Sequence, residues 1–360
     1  MTKHTAKLVG MKSSRYRLLK ENLLTAINTI PQYIQLEEVN NIDDILSYSL
    51  SAIPAILIDD AIILDNGDQP SKEELLEDIY QEVVKHFRMK KILVPVDFSK
   101  NSIYAYHYAQ RVAQEVGGEI TLVHFAHIFV DPNIPTTGNV EYIVEEAQRR
   151  LNTFAKDHQL SFDKGKSAKL EAKAIVGFAA PEIVRITEEG DVDLVVMGTK
   201  GSSSIDRRLF GSVSIKVAQE ARCPVILVPP NSVYNGFKEV LFTSSKAAID
   251  EFSELTIKQL KESFDTFSHF VHIAPDKQSE FHFDRVQLHD LDDKSQFKQV
   301  QISCPSILEG INEYIERHDI DLAVVTTKHR NIFEDLFHKS MTKQLAMNLR
   351  VPLMVLHPNK

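Results

Sequence analysis

Apolar residues follow two rhythms along this chain. Short stretches rich in Val, Ile and Leu recur at Ile92–Val96, Ile120–Phe125, Leu170–Val176, Leu194–Met197 and Val225–Val228. Their length suits strands, and their near-continuous apolar character suits burial on both faces of a sheet. Between them the spacing changes to every third and fourth position. Ser99–Val116, Glu141–His158, Pro181–Glu189 and the stretch after Gly211, with Val213, Val217, Ala218 and Ala221, read as amphipathic helices. Pro181 suits the first turn of its helix, where a missing N–H costs nothing. Strand and helix in alternation predict an α/β fold for residues 90–231: a doubly wound, mainly parallel sheet of five strands, with its crevice at the strands' carboxyl ends.

The first ninety residues carry a different order. Ala6–Val9 reads as a strand, followed by a helix capped by Ser13 or Ser14 with Leu19, Leu23, Leu24 and Ile27 on its apolar face. A strand near Tyr33–Leu36, a short helix Asp43–Leu50, and strands Ala55–Ile58 and Ile62–Leu64 follow. Ser71–Phe87 closes the series as a helix with the capping box Ser71/Glu74. The order β-α-β-α-β-β-α, with Ile53-Pro54-Ala55 leading into the third strand, resembles a small thioredoxin-like domain over residues 1–88. That resemblance implies a redox centre before the first helix, yet the loop reads Gly10-Met11-Lys12-Ser13-Ser14 and no cysteine lies in this region. Without a thiolate there is no disulfide exchange. The expectation is a redox-inactive module, either docking a partner or ligand or serving as a structural appendage.

The most informative stretch runs from Asp193 to Pro230. The apolar run Leu194–Met197 breaks at Gly198, and Gly201 and then Gly211-Ser212 follow before the next helix. Glycines supply positive φ and close backbone approach, so successive N–H groups can face an anion, and a helix N-terminus adds its partial positive charge. The spacing G-x2-G-x9-G-S resembles the nucleotide-binding signature of the universal stress protein family. In the ATP-binding branch of that family, the resemblance implies, Gly198, Gly201, Gly211, Ser212 and Val213 wrap the phosphates and ribose. Asp97, in the setting VPVDFS, would contact the nucleoside, and the backbone near Phe125 would touch adenine. The plainer readings are that Gly198 ends a strand, Gly211 permits tight packing, and Asp97 caps the following helix. Residues 129–140 form a polar loop suited to a flap over a ligand. Lys200, Arg207 and Arg208 add positive charge, as phosphate contacts or as solvated helix positions. His124 and His127 lack the carboxylate-rich company of a metal site and read as buried or rim residues.

The end of the chain repeats the middle. At a constant offset Asp193-Leu194 matches Asp321-Leu322, Thr199-Lys200 matches Thr327-Lys328, Ser212 matches Ser340 and Pro224 matches Pro352; the earlier strand starts also match, at an offset of their own, Ile92-Leu93 with Val240-Leu241 and Val123-His124 with Val271-His272. Residues 238–360 therefore resemble a second stress-protein domain, again doubly wound and five-stranded. It is a degenerate one: Thr326, His329 and Lys339 replace Gly198, Gly201 and Gly211, and Ser245 replaces Asp97. This half is not expected to bind ATP. Its expected task is to stand in for the second subunit of a homodimer, pairing Leu353–Leu356 with Val225–Val228 inside one chain, because an open apolar final strand invites aggregation. His269, His272, His282 and His289 show no regular ligand spacing.

Composition narrows the function. The 360 residues carry a net charge of −9, against broad binding to nucleic-acid phosphates, and have globular proportions of 43% hydrophobic and 25% charged residues. No apolar run approaches the length that spans a bilayer, the start lacks the apolar core of a signal peptide, and the two cysteines, Cys223 and Cys304, fit a reducing cytoplasm. No Walker lysine and no positioned His–carboxylate pair accompanies the glycines. The chain therefore reads as a cytoplasmic, ATP-binding regulatory or stress-tolerance protein. ATP, with Mg, is its expected ligand, at most weak hydrolysis its activity, and an unknown protein its downstream partner; further homodimerisation is left open. Its rivals are a slow ATPase or nucleotide-transfer enzyme and a structural adaptor that binds no nucleotide.

Overall fold

The computed structural model describes residues 4–28, 34–59, 61–75, 78–79, 89–126, 139–161, 168–199, 211–244, 260–261, 263–275, 282–285, 297–304, 307–326, 349 and 351–356. The described residues divide between Arg88 and Met89 into two compact units.

The first unit comprises β1 (His4–Val9), α1 (Ser14–Ile27), β2 (Ile34–Val39), α2 (Ile42–Ser47), β3 (Ala55–Ile58) and β4 (Ala61–Leu64). Its four strands lie in the order β2-β1-β3-β4, with β1 and β2 parallel and β3 antiparallel to both its neighbours. Helix α1 starts where the Ser13 hydroxyl accepts the Tyr16 N–H at 3.2 Å, and it buries Tyr16, Leu19, Leu23 and Ala26. Gly10 has φ +150°, and a Cβ there would lie 3.1 Å from the Pro54 Cα. The Ile53–Pro54 peptide bond is cis. The capping box forms as anticipated, Glu74 N–H donating to Ser71 Oγ at 3.2 Å and Ser71 N–H to Glu74 Oε2 at 2.7 Å. Most of the helix expected up to Phe87 lies outside the described residues.

In the second unit β5 (Lys91–Pro95), α3 (Lys100–Val116), β6 (Glu119–Ala126), α4 (Asn139–Asp157), β7 (Lys169–Val176), α5 (Ala179–Glu188), β8 (Leu194–Gly198), α6 (Ser212–Glu220) and β9 (Val225–Val228) form one half. The other half contains β10 (Glu239–Ser244), β11 (Phe267–Pro275), β12 (His282–Arg285), β13 (Phe297–Cys304), α7 (Ile307–Arg317), β14 (Leu322–Thr326) and β15 (Leu353–Leu356). Two five-stranded sheets, paired through their final strands, were expected. The strands join in one eleven-stranded sheet, ordered β12-β13-β11-β10-β14-β15-β9-β8-β5-β6-β7, which has one strand more than expected, β12. Within each half β7-β6-β5-β8-β9 and β13-β11-β10-β14-β15 run parallel, and the halves meet where β15 lies antiparallel to β9, Met354 opposite Ile226. Both strands are apolar throughout and fully buried, so the seam closes edges that would otherwise stay open. Strand β12, antiparallel on β13, has no forerunner in the sequence reading.

The halves correspond bond by bond. Asp193 Oδ2 accepts the N–H groups of Lys90 and Lys91 at 3.0 and 2.9 Å, and Asp321 Oδ2 accepts those of Lys238 and Glu239 at 3.1 and 3.0 Å. Val195 N–H donates to Pro224 C=O as Ala323 N–H does to Pro352 C=O. One continuous core lies on one face, uniting Ile183, Val195, Val217 and Leu227 with Ala323, Ile311, Leu353 and Val355. On the opposite face α3 buries Ala105, Ala109, Val112 and Ala113 against β5, β8 and β9.

Candidate functional site

Strand order sets the location. In β7-β6-β5-β8-β9 the chain leaves β5 toward β6 on one side, and β8 takes its place on the other. An open parallel sheet has its crevice at such a reversal, beyond the carboxyl ends of the two central strands. Asp97 follows β5 and Gly198 ends β8, so these two flank the crevice. Phe125 lies near the end of the neighbouring β6, and Gly211, Ser212 and Val213 open α6. Gly201, Lys200, Arg207, Arg208, His127 and most of the loop 129–140 lie outside the described residues.

Neither described glycine takes the positive φ foreseen for it. Gly211 has φ −64° and ψ 138°, an extended conformation open to any residue, and Gly198 is the last residue of its strand. The expected left-handed turns are therefore absent at both. Gly198 is small for another reason: a Cβ there would stand 2.7 Å from Asn101 Nδ2 and 3.0 Å from the Asn101 carbonyl oxygen, in the first turn of α3. Close packing of β8 on α3 decides this residue. The Gly211 N–H, expected to face an anion, donates to the Thr199 carbonyl at 3.0 Å. Thr199 also receives the Ser214 hydroxyl on that carbonyl at 3.2 Å, gives its own N–H to Val228 at 3.1 Å, and is 3% exposed. It ties β8, β9 and α6 together and closes the two ends of the segment 200–210. The sequence hinted at Thr199 only through its position between glycines. Helix α6 begins at Gly211 with no side-chain cap, leaving the first-turn N–H groups to other partners.

Asp97 is not the cap of α3. Ser99 is, its hydroxyl accepting the Ser102 N–H at 3.2 Å, while Asp97 Oδ1 accepts the Ser99 N–H at 3.1 Å. Between them Phe98 takes φ 63°, a left-handed conformation uncommon for a bulky residue. Its ring lies 4.3 Å from that of His124, 5.6 Å from that of Phe154, and 4.6 Å beneath the Arg150 guanidinium. His124 Nδ1 is 2.8 Å from the Val96 carbonyl oxygen, and because a carbonyl only accepts, Nδ1 carries the proton. The Phe125 side chain is buried in the core on the α5–α6 face, leaving its main chain at the strand end. Beside Phe98 a 490 Å³ cleft opens along α4, lined also by Arg149, Arg150, Asp157 and His158. Burial, reinforced by the nearby His158, holds the His107 imidazole below its usual pKa.

The second half differs at its edges. Thr326 ends β14, while Ser245, His329 and Lys339 lie outside the described residues, as do Thr327, Lys328, Ser340 and His289. At the opposite, amino edge His269 is buried between Glu239, bonded to Nε2, and the Tyr314 hydroxyl, 2.8 Å from Nδ1. His318 lies against the Tyr314 ring at 4.2 Å. Burial lowers the pKa of His269 against the pull of Glu239, and burial also lowers that of His318. Cys223 is buried, which pushes its thiol up to about 12. Among the described residues there is no group of three or more His, Cys, Asp or Glu that could hold a metal ion, and no helix long and apolar enough to cross a membrane.

Comparison with known proteins returns the same identity from several directions. The model of the universal stress protein family matches residues 89–229. A universal stress protein of Methanocaldococcus jannaschii is 31% identical over 146 residues, covering 39% of this chain and 81% of that protein. The Bacillus subtilis universal stress protein YxiE is 31% identical over 144 residues, covering 38% of this chain and 97% of its own length. The crystal structure of a universal stress protein from Archaeoglobus fulgidus aligns with a TM-score of 0.54 at 18% identity, covering 75% of this chain and 97% of that chain, a likeness of fold.

Proposed function

Because this chain belongs to the universal stress protein family, we propose that its residues 90–231 bind an adenine nucleotide, ATP with Mg, as a regulatory ligand in the crevice between β5 and β8. The observation that carries this reading is the strand reversal itself, with Asp97 and Gly198 at the two carboxyl ends that border it. The uncapped start of α6, at Gly211, Ser212 and Val213, is the natural place for phosphate. The Gly211–Thr199 bond fixes both ends of the segment that contains Gly201. Asp97, placed at the carboxyl end of β5, faces the nucleoside, and the main chain at Phe125 borders the adenine.

Residues 238–360 act as a degenerate second stress-protein domain whose work is to cover β9, as the β9–β15 seam suggests. With Ser245 and Thr326 in place of Asp97 and Gly198, this half leaves nucleotide binding to the first. Residues 1–88 act as a cysteine-free, thioredoxin-like docking module. Nucleotide occupancy changes a surface read by another protein in the cytoplasm, and the chain serves stress tolerance in this way.

Equilibrium binding of ATP, ADP and AMP to the full chain tests the reading, repeated on Asp97→Ala and Ser212→Glu. Micromolar binding that both changes abolish, with negligible phosphate release, is the expected result. Gly198→Val is a poor probe, since its clash with Asn101 disturbs folding as well as binding. Binding untouched by both substitutions overturns the site. Steady phosphate release would mark an enzyme, and no binding at all a structural adaptor.

A further inference from the structure

The three residues that follow β5 are each held by contacts, and one imidazole touches two of them. The Val96 carbonyl accepts from His124 Nδ1–H at 2.8 Å, one residue beyond the last β5–β6 pair, Pro95 with Val123. The Phe98 ring rests on the His124 ring at 4.3 Å. Asp97, between them, is bonded to Ser99 N–H. A left-handed φ at a bulky residue persists only where its surroundings over-determine it, and such positions gather at functional sites. Here the ring contacts of Phe98 with His124, Arg150 and Phe154 supply that constraint.

We propose that His124 is a positioning residue for nucleotide binding: its Nδ1–H fixes the Val96 carbonyl and its ring seats Phe98, so that Asp97, between the two, is presented to the nucleoside in one orientation. This rests on the reading of the crevice as a nucleotide site. The sequence alone assigned His124 no such task, because it is the geometry that brings its ring back onto the preceding strand. The role belongs to one nitrogen. Asparagine, whose amide reaches the place of Nδ1, should substitute for it, whereas glutamine, whose amide reaches the place of Nε2, should not.

The test measures ATP binding by calorimetry on the full-length protein and on His124→Ala, His124→Asn and His124→Gln, with a thermal melt of each. ATP affinity is expected to fall about tenfold in the Ala and Gln variants, the loss of one well-made positioning bond, and to recover most of the way in Asn while the Asn and Gln melts stay alike. Nitrogen-15 shifts of the His124 ring, recorded without nucleotide, should show the proton on Nδ1. Equal affinity in Asn and Gln, or a proton on Nε2, overturns the positioning role while leaving wild-type ATP binding in place. No ATP binding by the wild type, with the proton on Nδ1, instead overturns the nucleotide reading and the positioning role with it.

Discussion

In the first half of the large sheet Asp193 fastens the start of β5 with two main-chain bonds, and in the second half Asp321 fastens the start of β10 with the same two. The resemblance stops at the edges. Beyond β5 the first half has Asp97 where the second has Ser245, and Gly198 where the second has Thr326. At the amino edge, Lys91 pairs with Asp191 in the first half, while Glu239, in the matching position, bonds to buried His269. Between the second and third parallel strands the first half runs through α4 and the second through the edge strand β12. Bonds that hold strands in register occur on both sides of the seam, whereas Asp97 and Gly198 have no counterpart of the same type in the second half. That is the pattern expected if the second half is retained for what it covers.

The most damaging way to test this is to attack the seam. Met354 is fully buried opposite Ile226. Met354→Asp places an unpaired carboxylate between two apolar strands, at a cost of about 3–5 kcal/mol. For a unit of this size the melting temperature should drop by roughly 10 °C, and nucleotide binding in the first half should weaken with it. A melt within a degree or two of wild type would mean that β9 and β15 do not form a buried pair in solution, and the second half would lose its assigned purpose.

A gentler pair of changes measures how alike the frames are. Asp193→Ala and Asp321→Ala each free two main-chain N–H groups, one of each pair part-buried. Each should cost about 1–2 kcal/mol in urea denaturation, since water recovers part of what the carboxylate supplied. The costs should agree to within about 0.5 kcal/mol and add in the double variant. A large loss for Asp193 beside none for Asp321 would show that the second half is a looser copy than its bonding indicates.

Much of this architecture is visible in the amino-acid string. Apolar runs such as Leu194–Met197 and Val225–Val228 declare themselves because strands covered on both faces need little polar alternation. Similar apolar runs at Leu322–Val325 and Leu353–Leu356 made the seam legible. Strand β12, reading His-Phe-Asp-Arg, has no such signature, and only its neighbour β13 reveals it. The sequence pattern placed Asp97 and Gly198 at the carboxyl ends of two strands, but not what surrounds them. Glycine in a sequence announces a missing side chain without saying what occupies the space. At Gly198 that is Asn101, and at Gly211 the N–H is already engaged by Thr199. The tasks of Thr199 and His124 depend on main-chain carbonyls remote in sequence, which no local pattern encodes.

The smallest expected effect concerns the amino edge, where the second half has acquired titrating groups. His269, on β11, faces Glu239 on β10, Lys298 on β13, Tyr314 on α7 and His318 just after it, with Arg317 acting on His318 and Asp321 bonded to the Glu239 N–H. Neutral His269 satisfies its neighbours, giving Nε2–H to Glu239 and accepting the Tyr314 hydroxyl on Nδ1. A second proton would turn the Tyr314 hydroxyl from donor to acceptor and put a cation in a buried place beside Lys298. Burial therefore keeps the folded pKa of His269, and that of His318, below the ordinary histidine value of about 6.5. In that case the unfolded chain takes up protons first as the pH falls, so stability is fully present above about pH 6.5 and declines below it. His107, in the first half, adds to the trend with the same sign. Melting temperatures measured from pH 8 to pH 5 should stay level and then slope downward, and His269→Gln, which cannot take the proton, should reduce that slope. A melting temperature that rises as the pH drops from 7 to 5.5 would mean that Glu239 holds the imidazole charged, and the amino edge of the second half would then be an ion pair like that of Lys91 and Asp191 with its signs reversed.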